Sequence, residues 1–166
     1  MSYYVIVLGA TGLVGRTLLR ILAERDFPVR ELRPLGGERG GDRTVEFGGR
    51  AVPVEPVSAE AIAGADLALF ACANDVSQQW APVAARAGVT VVDNSSAYRY
   101  EDAVPLVVPE VNGTLLASRP PLVANPNCST IAIVVALAPL ARRVGIERVR
   151  IATYQSVSGA GSEALD

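Results

Sequence analysis

Cys128 is the residue of this sequence best suited to covalent chemistry. It stands in the polar, tightly turned segment Asn125–Thr130, where a long helix is predicted to begin. The free amide groups and the dipole of a helix N-terminus favour a thiolate, which is the nucleophilic form of cysteine. The alternative is a buried structural cysteine, a common fate of a free thiol. We favour the nucleophile for Cys128 and the structural role for Cys72, which falls in an apolar stretch.

The rest of the composition restricts the available chemistry. The 166 residues include no His, and all fifteen basic residues are Arg. A histidine base, a Schiff-base lysine and a P-loop lysine are therefore excluded within this chain. With no His and two distant Cys, no metal site is expected. The net charge of −2 offers no basic excess for a nucleic acid or an anionic membrane, so neither is an expected partner.

The segment Gly9–Gly15 (GATGLVG) is the second chemical signal. It follows the apolar stretch Tyr3–Leu8 and precedes a run with apolar residues at helical spacing. The pattern GxxGxxG is a variant of the dinucleotide fingerprint, in which glycines let the backbone approach a pyrophosphate at a helix N-terminus. The alternative is a tight turn with no ligand.

Apolar strands and amphipathic helices alternate along the chain. This order predicts an α/β fold with a Rossmann-like, doubly wound, mostly parallel sheet. Strands are predicted at Tyr3–Leu8, Val29–Leu35, Leu67–Cys72, Thr90–Asp93, Pro105–Val108, Leu122–Ala124 and Arg148–Val157, with a hairpin of Val45–Phe47 and Ala51–Val54. Helices are predicted from Leu13 to just before Pro28, from about Ser77 to Ala87, and from Asn127 to about Arg143. Ligands of such sheets bind at the carboxyl ends of the strands.

The residues after the second strand bear on the choice of nicotinamide cofactor. An acid there binds the ribose 2′-hydroxyl of NAD, whereas an Arg accommodates the 2′-phosphate of NADP. Glu38 and Arg39 stand side by side in a glycine-rich loop. The spacing favours NADP through Arg39, and Glu38 leaves NAD open.

Several motifs together carry a resemblance to a known family. Besides the loops that contain Gly9–Gly15 and Arg39, they are Asp93–Arg99 (DNSSAYR), Val107–Asn112 (VVPEVN), Asn125–Thr130 (NPNCST) and Thr153–Gly161 (TYQSVSGAG). The chain resembles the aspartate-semialdehyde dehydrogenases over essentially its whole length. A Cys nucleophile combined with a nicotinamide fold agrees with their acyl chemistry through a thioester.

The resemblance implies a role for each matching position. Cys128 is the implied thioester nucleophile, Gln155 positions the substrate, and Arg99 and Asn127 hold its phosphate. The implied cofactor is NADP, in contact with Gly9, Thr11, Gly12, Leu13, Val14, Arg39, Gly40, Ser158 and Gly159. Two departures from the family concern cofactor contacts: Ala132 stands where a Gln is frequent, and Gly36–Glu38 replaces a Ser-rich stretch.

The resemblance also implies the reaction and the domain organisation. The implied reaction is reduction of aspartyl phosphate by NADPH to aspartate semialdehyde and phosphate, for lysine (through diaminopimelate), methionine and threonine synthesis, in a homodimer. From the residues, two distant Cys and an N-terminus without a basic signal-peptide region make a cytoplasmic location the expectation. Residues 1–127 correspond to the NADP-binding domain, and residues 128–166 begin a second α+β catalytic and dimerisation domain. The family's catalytic His, substrate Arg and phosphate-site Lys follow later, so the chain is expected to be an N-terminal fragment that is inactive alone.

Two other functions remain open from the sequence. N-acetyl-γ-glutamyl-phosphate reductase uses the same chemistry on a related fold, but its Cys usually lies between Gly and Tyr rather than between Asn127 and Ser129. A non-catalytic NADP-binding module has no need of Cys128 and Gln155. Both alternatives therefore fit the sequence less well than the dehydrogenase.

Overall fold

The computed structural model describes residues 1–37 and 43–154. Within these ranges the strands are β1 (Tyr3–Leu8), β2 (Val29–Gly36), β3 (Thr44–Phe47), β4 (Arg50–Pro53), β5 (Glu55–Pro56), β6 (Leu67–Phe70), β7 (Thr90–Asp93) and β8 (Leu122–Ala124). The α-helices are α1 (Leu13–Glu24), α2 (Ala59–Ile62), α3 (Asn74–Arg86), α4 (Pro109–Asn112) and α5 (Cys128–Val144), and a 3-10 helix covers Gly113–Ser118.

Six of the strands form one sheet in the order β5-β2-β1-β6-β7-β8, with every neighbouring pair parallel. This order is the 3-2-1-4-5-6 arrangement of the doubly wound Rossmann fold, so the predicted fold is confirmed. The direction of winding reverses between β1 and β6, and ligands of such sheets bind in the crevice beside that point. Strands β3 and β4 form a separate antiparallel hairpin, as predicted.

Both faces of the sheet are covered, and this explains the continuous apolar sequence of β1. Ile6 and Leu8 face one core, which also contains residues of α3 such as Ala81. Val7 faces the other core, together with Leu19 of α1 and Val45 of the hairpin. A strand that is buried on both faces carries apolar residues without alternation.

The strand register aligns the carboxyl ends of five strands. Leu35, Leu8, Phe70, Asp93 and Ala124 pair in turn across β2, β1, β6, β7 and β8. The first residue after β6, β7 and β8 each donates its amide to the last carbonyl oxygen of the neighbouring strand. These bonds run from Ala71 to Leu8, from Asn94 to Phe70, and from Asn125 to Asp93. The loops that begin at Gly9, Ala71, Asn94 and Asn125 therefore leave the sheet along one edge.

Three predicted strands differ from the structure. The strand predicted at Leu67–Cys72 ends at Phe70, so Cys72 lies in the following loop, half-buried against the core. Pro105–Val108 forms only one bridge, between Leu106 and Ala124. No strand exists in the described part of Arg148–Val157, where residues 148–154 are exposed. An apolar alternation becomes a strand only where a partner supplies the backbone hydrogen bonds, and none of the described strands pairs with this segment.

Several short elements and the start of one helix also differ from the prediction. Helix α3 begins at Asn74, three residues before the predicted start, whereas α5 spans Cys128–Val144 close to its predicted bounds. Helices α2 and α4 have four residues each, too few to show a helical period. In the described ranges, no helix has the length and apolar character needed to cross a membrane.

Candidate active site

The glycine loop forms a tight junction between β1 and α1. Gly9 has φ +83°, and a Cβ there would lie 2.3 Å from the Ala71 carbonyl oxygen. A Cβ on Gly15 would lie 2.2 Å from the Gly9 carbonyl oxygen. Two of the three glycines are thus required by backbone packing within the protein, because no side chain fits at either position.

The third glycine, Gly12, faces outward and directly precedes α1. Gly12 is the N-cap, is exposed, and has no side chain to cap the helix; no other side chain of the described residues does so. The next residues, Leu13 and Val14, are also exposed, and Thr11 is half-buried. An uncapped helix N-terminus presents amide hydrogens and a positive dipole end to an anion. This part of the loop has the form that a pyrophosphate requires.

We expect alanine at Gly15 to lower stability and alanine at Gly12 to weaken dinucleotide binding. Gly15→Ala should lower the free energy of unfolding by about 2 kcal/mol or more, because the new methyl group meets rigid backbone. Gly12→Ala should change stability by less than about 1 kcal/mol, since its φ of −73° suits alanine and its Cβ would lie 3.4 Å from the Gly9 carbonyl oxygen, an ordinary van der Waals contact. It should nevertheless weaken dinucleotide binding about tenfold by blocking the backbone approach. Thermal denaturation and calorimetric titration measure the two effects, and equal losses of stability would contradict the distinction.

Hydrogen bonds hold the loop after β7 at three places. The buried Asp93 carboxylate accepts hydrogen bonds from the amide and the hydroxyl of Ser95, at 3.1 and 2.7 Å. Asn74, the first residue of α3, accepts from the Ser96 amide at 2.9 Å. The Tyr98 hydroxyl lies 3.4 Å from the Gln78 carbonyl oxygen, to which it donates. The backbone that carries Arg99 is therefore held in place.

Arg99 reaches from this loop to the start of the next one. Its Nε donates to the Asn125 carbonyl oxygen and its Nη2 to the Asn94 carbonyl oxygen, each at 2.9 Å. The acceptors are neutral, and within the described ranges no carboxylate forms an ion pair with Arg99. A half-buried guanidinium with an uncompensated charge is suited to an anionic ligand.

Cys128 is exposed and is the first residue of α5. Asn127 is the N-cap, and its Oδ1 accepts hydrogen bonds from the Ser129 amide at 3.0 Å and the Ser129 hydroxyl at 2.7 Å. The Cys128 Sγ lies 3.7 Å from the same oxygen, to which it donates. The structure thus places the thiol at an accessible helix N-terminus, next to the loop that anchors Arg99.

The two thiols should differ strongly in reactivity. Burial, followed by the negative charge of Asp93, raises the pKa of Cys72 to about 12. Only about one Cys72 in 10⁴ is then ionised at pH 8, and the thiolate is the reactive form. Limited iodoacetamide treatment followed by mass spectrometry should label the exposed Cys128 first. Cys72→Ala should keep the fast labelling and Cys128→Ala should lose it; the reverse pattern would contradict the assignment of the nucleophile.

The structure brings most of the predicted site residues to one edge of the sheet. Gly9, Thr11, Gly12, Leu13, Val14, Arg99, Asn127 and Cys128 lie in loops or helix starts at the carboxyl ends of β1, β7 and β8. Arg39, Gly40, Gln155, Ser158 and Gly159 lie outside the described residues. Their predicted roles stay predictions.

Arg99 is held by two residues to which no individual role was predicted, namely Asn94 and Asn125. The Asn125 Nδ2 donates to the Asn94 Oδ1 at 2.6 Å, which joins the loops after β7 and β8. Their positions in the sequence could have indicated this contact, because each is the first residue after a predicted strand. Those two strands are neighbours in the sheet.

Comparison with known proteins adds independent findings. The family model "semialdehyde dehydrogenase, NAD binding domain" matches residues 4–119. Aspartate-semialdehyde dehydrogenase 2 of Vibrio cholerae is 48% identical over 167 residues, which cover 99% of this chain and 50% of that protein. Aspartate-semialdehyde dehydrogenase of Aquifex aeolicus is 47% identical over 169 residues, which cover 100% of this chain and 50% of that protein.

A solved structure agrees with these relatives. The crystal structure of aspartate semialdehyde dehydrogenase II complexed with ASA from Vibrio cholerae superposes with a TM-score of 0.93 and 46% sequence identity. The superposition covers 100% of this chain and 50% of that one. The chain thus spans about half the length of the curated relatives it matches.

Proposed function

The chain belongs to the semialdehyde dehydrogenase family, and we propose that it forms the cofactor-binding half of an NADP-dependent aspartate-semialdehyde dehydrogenase and carries its nucleophile. One observation carries the proposal. An exposed cysteine begins α5 three residues after Asn125, whose carbonyl oxygen holds Arg99, on the sheet edge that also carries the uncapped N-terminus of α1. Arg99 has no carboxylate partner among the described residues. The relatives named aspartate-semialdehyde dehydrogenase support the choice of substrate.

The glycine loop fits a nicotinamide dinucleotide. The exposed N-terminus of α1 offers the amides of Leu13 and Val14 to a pyrophosphate, and Gly12 leaves room for it. Arg39 and Gly40 would bind the 2′-phosphate side, while Ser158 and Gly159 would contribute further contacts. When bound in this crevice, the cofactor supplies hydride chemistry.

The chain's own residues account for the acyl transfer. In the biosynthetic direction the Cys128 thiolate attacks the acyl carbon of aspartyl phosphate and forms a C–S bond. The C–O bond to phosphate breaks, and its electron pair leaves with the phosphate. Arg99 binds the departing anion through its charge, and Asn127, whose Oδ1 caps α5, offers its Nδ2 as a second donor.

Two roles complete the proposal. Gln155 would orient the substrate and the thioester. The proton that accompanies the later reduction would come from the catalytic His that the family resemblance implies, which is not among residues 1–166. Residues 1–127 would form the cofactor domain and residue 128 would begin the catalytic domain of a cytoplasmic homodimer.

The function is tested on the full-length protein by oxidation of aspartate semialdehyde with NADP and phosphate, followed by the absorbance of the reduced cofactor. N-acetylglutamate semialdehyde is the matched alternative substrate. We expect phosphate-dependent turnover of aspartate semialdehyde only. Preference for the acetylated substrate would replace the proposal with N-acetyl-γ-glutamyl-phosphate reductase, and cofactor binding without turnover of either would indicate a binding module.

Arg39 should determine the choice between the two nicotinamide cofactors. A charge-assisted hydrogen bond to a phosphate contributes about 1.5–3 kcal/mol, so Arg39→Ala should weaken NADPH binding about tenfold or more. NADH binding should hardly change, because NADH has no 2′-phosphate. Arg43→Ala, which removes another arginine a few residues along the chain, is the control and should change neither affinity. Equal losses for both cofactors after Arg39→Ala would show that Arg39 does not bind the 2′-phosphate.

A further inference from the structure

The contacts of Arg99 define which edge of its guanidinium is available. Nε and Nη2 lie on one side of the group, and these are the two atoms that donate to the carbonyl oxygens of Asn125 and Asn94. The end of the guanidinium, formed by Nη1 and the second hydrogen of Nη2, is the other edge that can bind an oxyanion through two parallel hydrogen bonds. The two bonds to carbonyl oxygens therefore fix the orientation of the guanidinium, and with it the direction in which the free edge points.

The two carbonyl groups are themselves tied together. They belong to residues 31 positions apart in sequence, each the first after its strand, and the Asn125 Nδ2 donates to the Asn94 Oδ1 at 2.6 Å. Backbone hydrogen bonds from Asn94 to Phe70 and from Asn125 to Asp93 fix both residues to the sheet. The side-chain bond thus fixes the separation of the two oxygens that Arg99 spans.

We propose that Asn94 and Asn125 are positioning residues whose side-chain hydrogen bond fixes the orientation of Arg99 for binding the phosphate group of the substrate. This inference rests on the proposed function and adds to it the origin of the phosphate-site geometry. Neither side chain has to touch the substrate. The pair lowers the entropy that a long, flexible arginine side chain would otherwise lose on binding an anion.

Replacement of either asparagine by alanine in the full-length protein tests the inference. Asn125→Ala and Asn94→Ala should each raise the KM for phosphate about threefold to tenfold, the range expected for one side-chain hydrogen bond. The kcat at saturating phosphate and the KM for NADP should stay within about twofold. Because one bond is shared, the double variant should lose no more than the larger single loss.

Two further variants separate positioning from general damage to the fold. In an Arg99→Ala background, Asn125→Ala should cause no additional rise in the KM for phosphate. Asn112 is a matched asparagine whose side chain accepts from the Val108 amide and donates to the Leu106 carbonyl, at 2.8 and 2.9 Å, so neither bond involves Arg99, Asn94 or Asn125. Asn112→Ala should lower the melting temperature and leave the KM for phosphate unchanged.

Calorimetric titration with inorganic phosphate makes the result independent of turnover. Weaker phosphate binding in Asn125→Ala, absent in the Arg99→Ala background, supports the inference even if the protein oxidises another semialdehyde. Absence of aspartate semialdehyde oxidation with intact phosphate binding would refute only the proposed function. A wild-type protein that binds no phosphate, unchanged affinity in both asparagine variants, or additive losses with Arg99→Ala would overturn the inference.

Discussion

Cys128→Ser in the full-length protein should lower the kcat of phosphate-dependent aspartate semialdehyde oxidation by about 10³-fold or more. A serine hydroxyl in this position has almost the same shape as the thiol, but it is not ionised near neutral pH and is a much weaker nucleophile than a thiolate. Initial rates with saturating NADP and phosphate measure the loss. The size of the effect follows from the role of the thiol as the atom that bonds to the acyl carbon.

Three measurements separate this loss from a change of fold. Cys72→Ser removes the other thiol, which is half-buried against the core of the sheet, and should keep kcat within about threefold. The melting temperature of Cys128→Ser should match that of the wild type, because an exposed helix-start residue makes little packing contribution. Cofactor titration should be unchanged as well. Residual activity above about a tenth of the wild type would show that another group forms the covalent bond.

Local patterns were sufficient to predict the central sheet. The strands β1, β7 and β8 are short, largely apolar segments next to turn residues, and α1 and α5 show helical spacing and N-terminal signals. The two short stretches of the hairpin were predicted as well, and Gly48 and Gly49 at its turn both have positive φ. Such features are local, so they can be recognised without knowledge of the strand partners.

Pairing and short elements could not be predicted in the same way. The two-residue strand β5 exists because Glu55 and Pro56 lie beside the end of β2, which only the tertiary structure provides. The segment from Arg148 has the apolar alternation of a strand, yet its described part is exposed and unpaired with the described strands. Strand formation depends on a distant partner, and sequence alternation does not show whether that partner is present.

The candidate site likewise has parts that local sequence predicts and contacts that depend on the tertiary structure. Cys128 and the glycine loop were predicted because a helix N-terminus and a glycine pattern are recognisable in a short sequence. The anchoring of Arg99 was not predicted, because its acceptors lie 26 and 5 positions away and meet only through the order of β7 and β8. Asparagines that directly follow neighbouring parallel strands are the signal that could have pointed to the pair.

Residues 1–166 expressed alone are expected to bind NADP weakly and to catalyse no measurable oxidation of aspartate semialdehyde. The chain contains no His, and loss of a general acid or base typically costs about 10²–10⁴ in rate. Helix α5 has no buried residue, and Leu140 and Val144 are 54% and 76% exposed. An apolar surface of this kind favours association, so light scattering should report species larger than a monomer.

The full-length protein under the same conditions is the positive control for that assay. Leu140→Gln with Val144→Gln in the 1–166 polypeptide is the matched variant: it should reduce association, because it removes exposed apolar side chains, without restoring turnover. Turnover of residues 1–166 comparable to that of the full-length protein would contradict the expectation. The proton donor would then have to lie within this chain, and Tyr98 would be the first residue to replace, since burial raises its pKa and keeps its hydroxyl protonated.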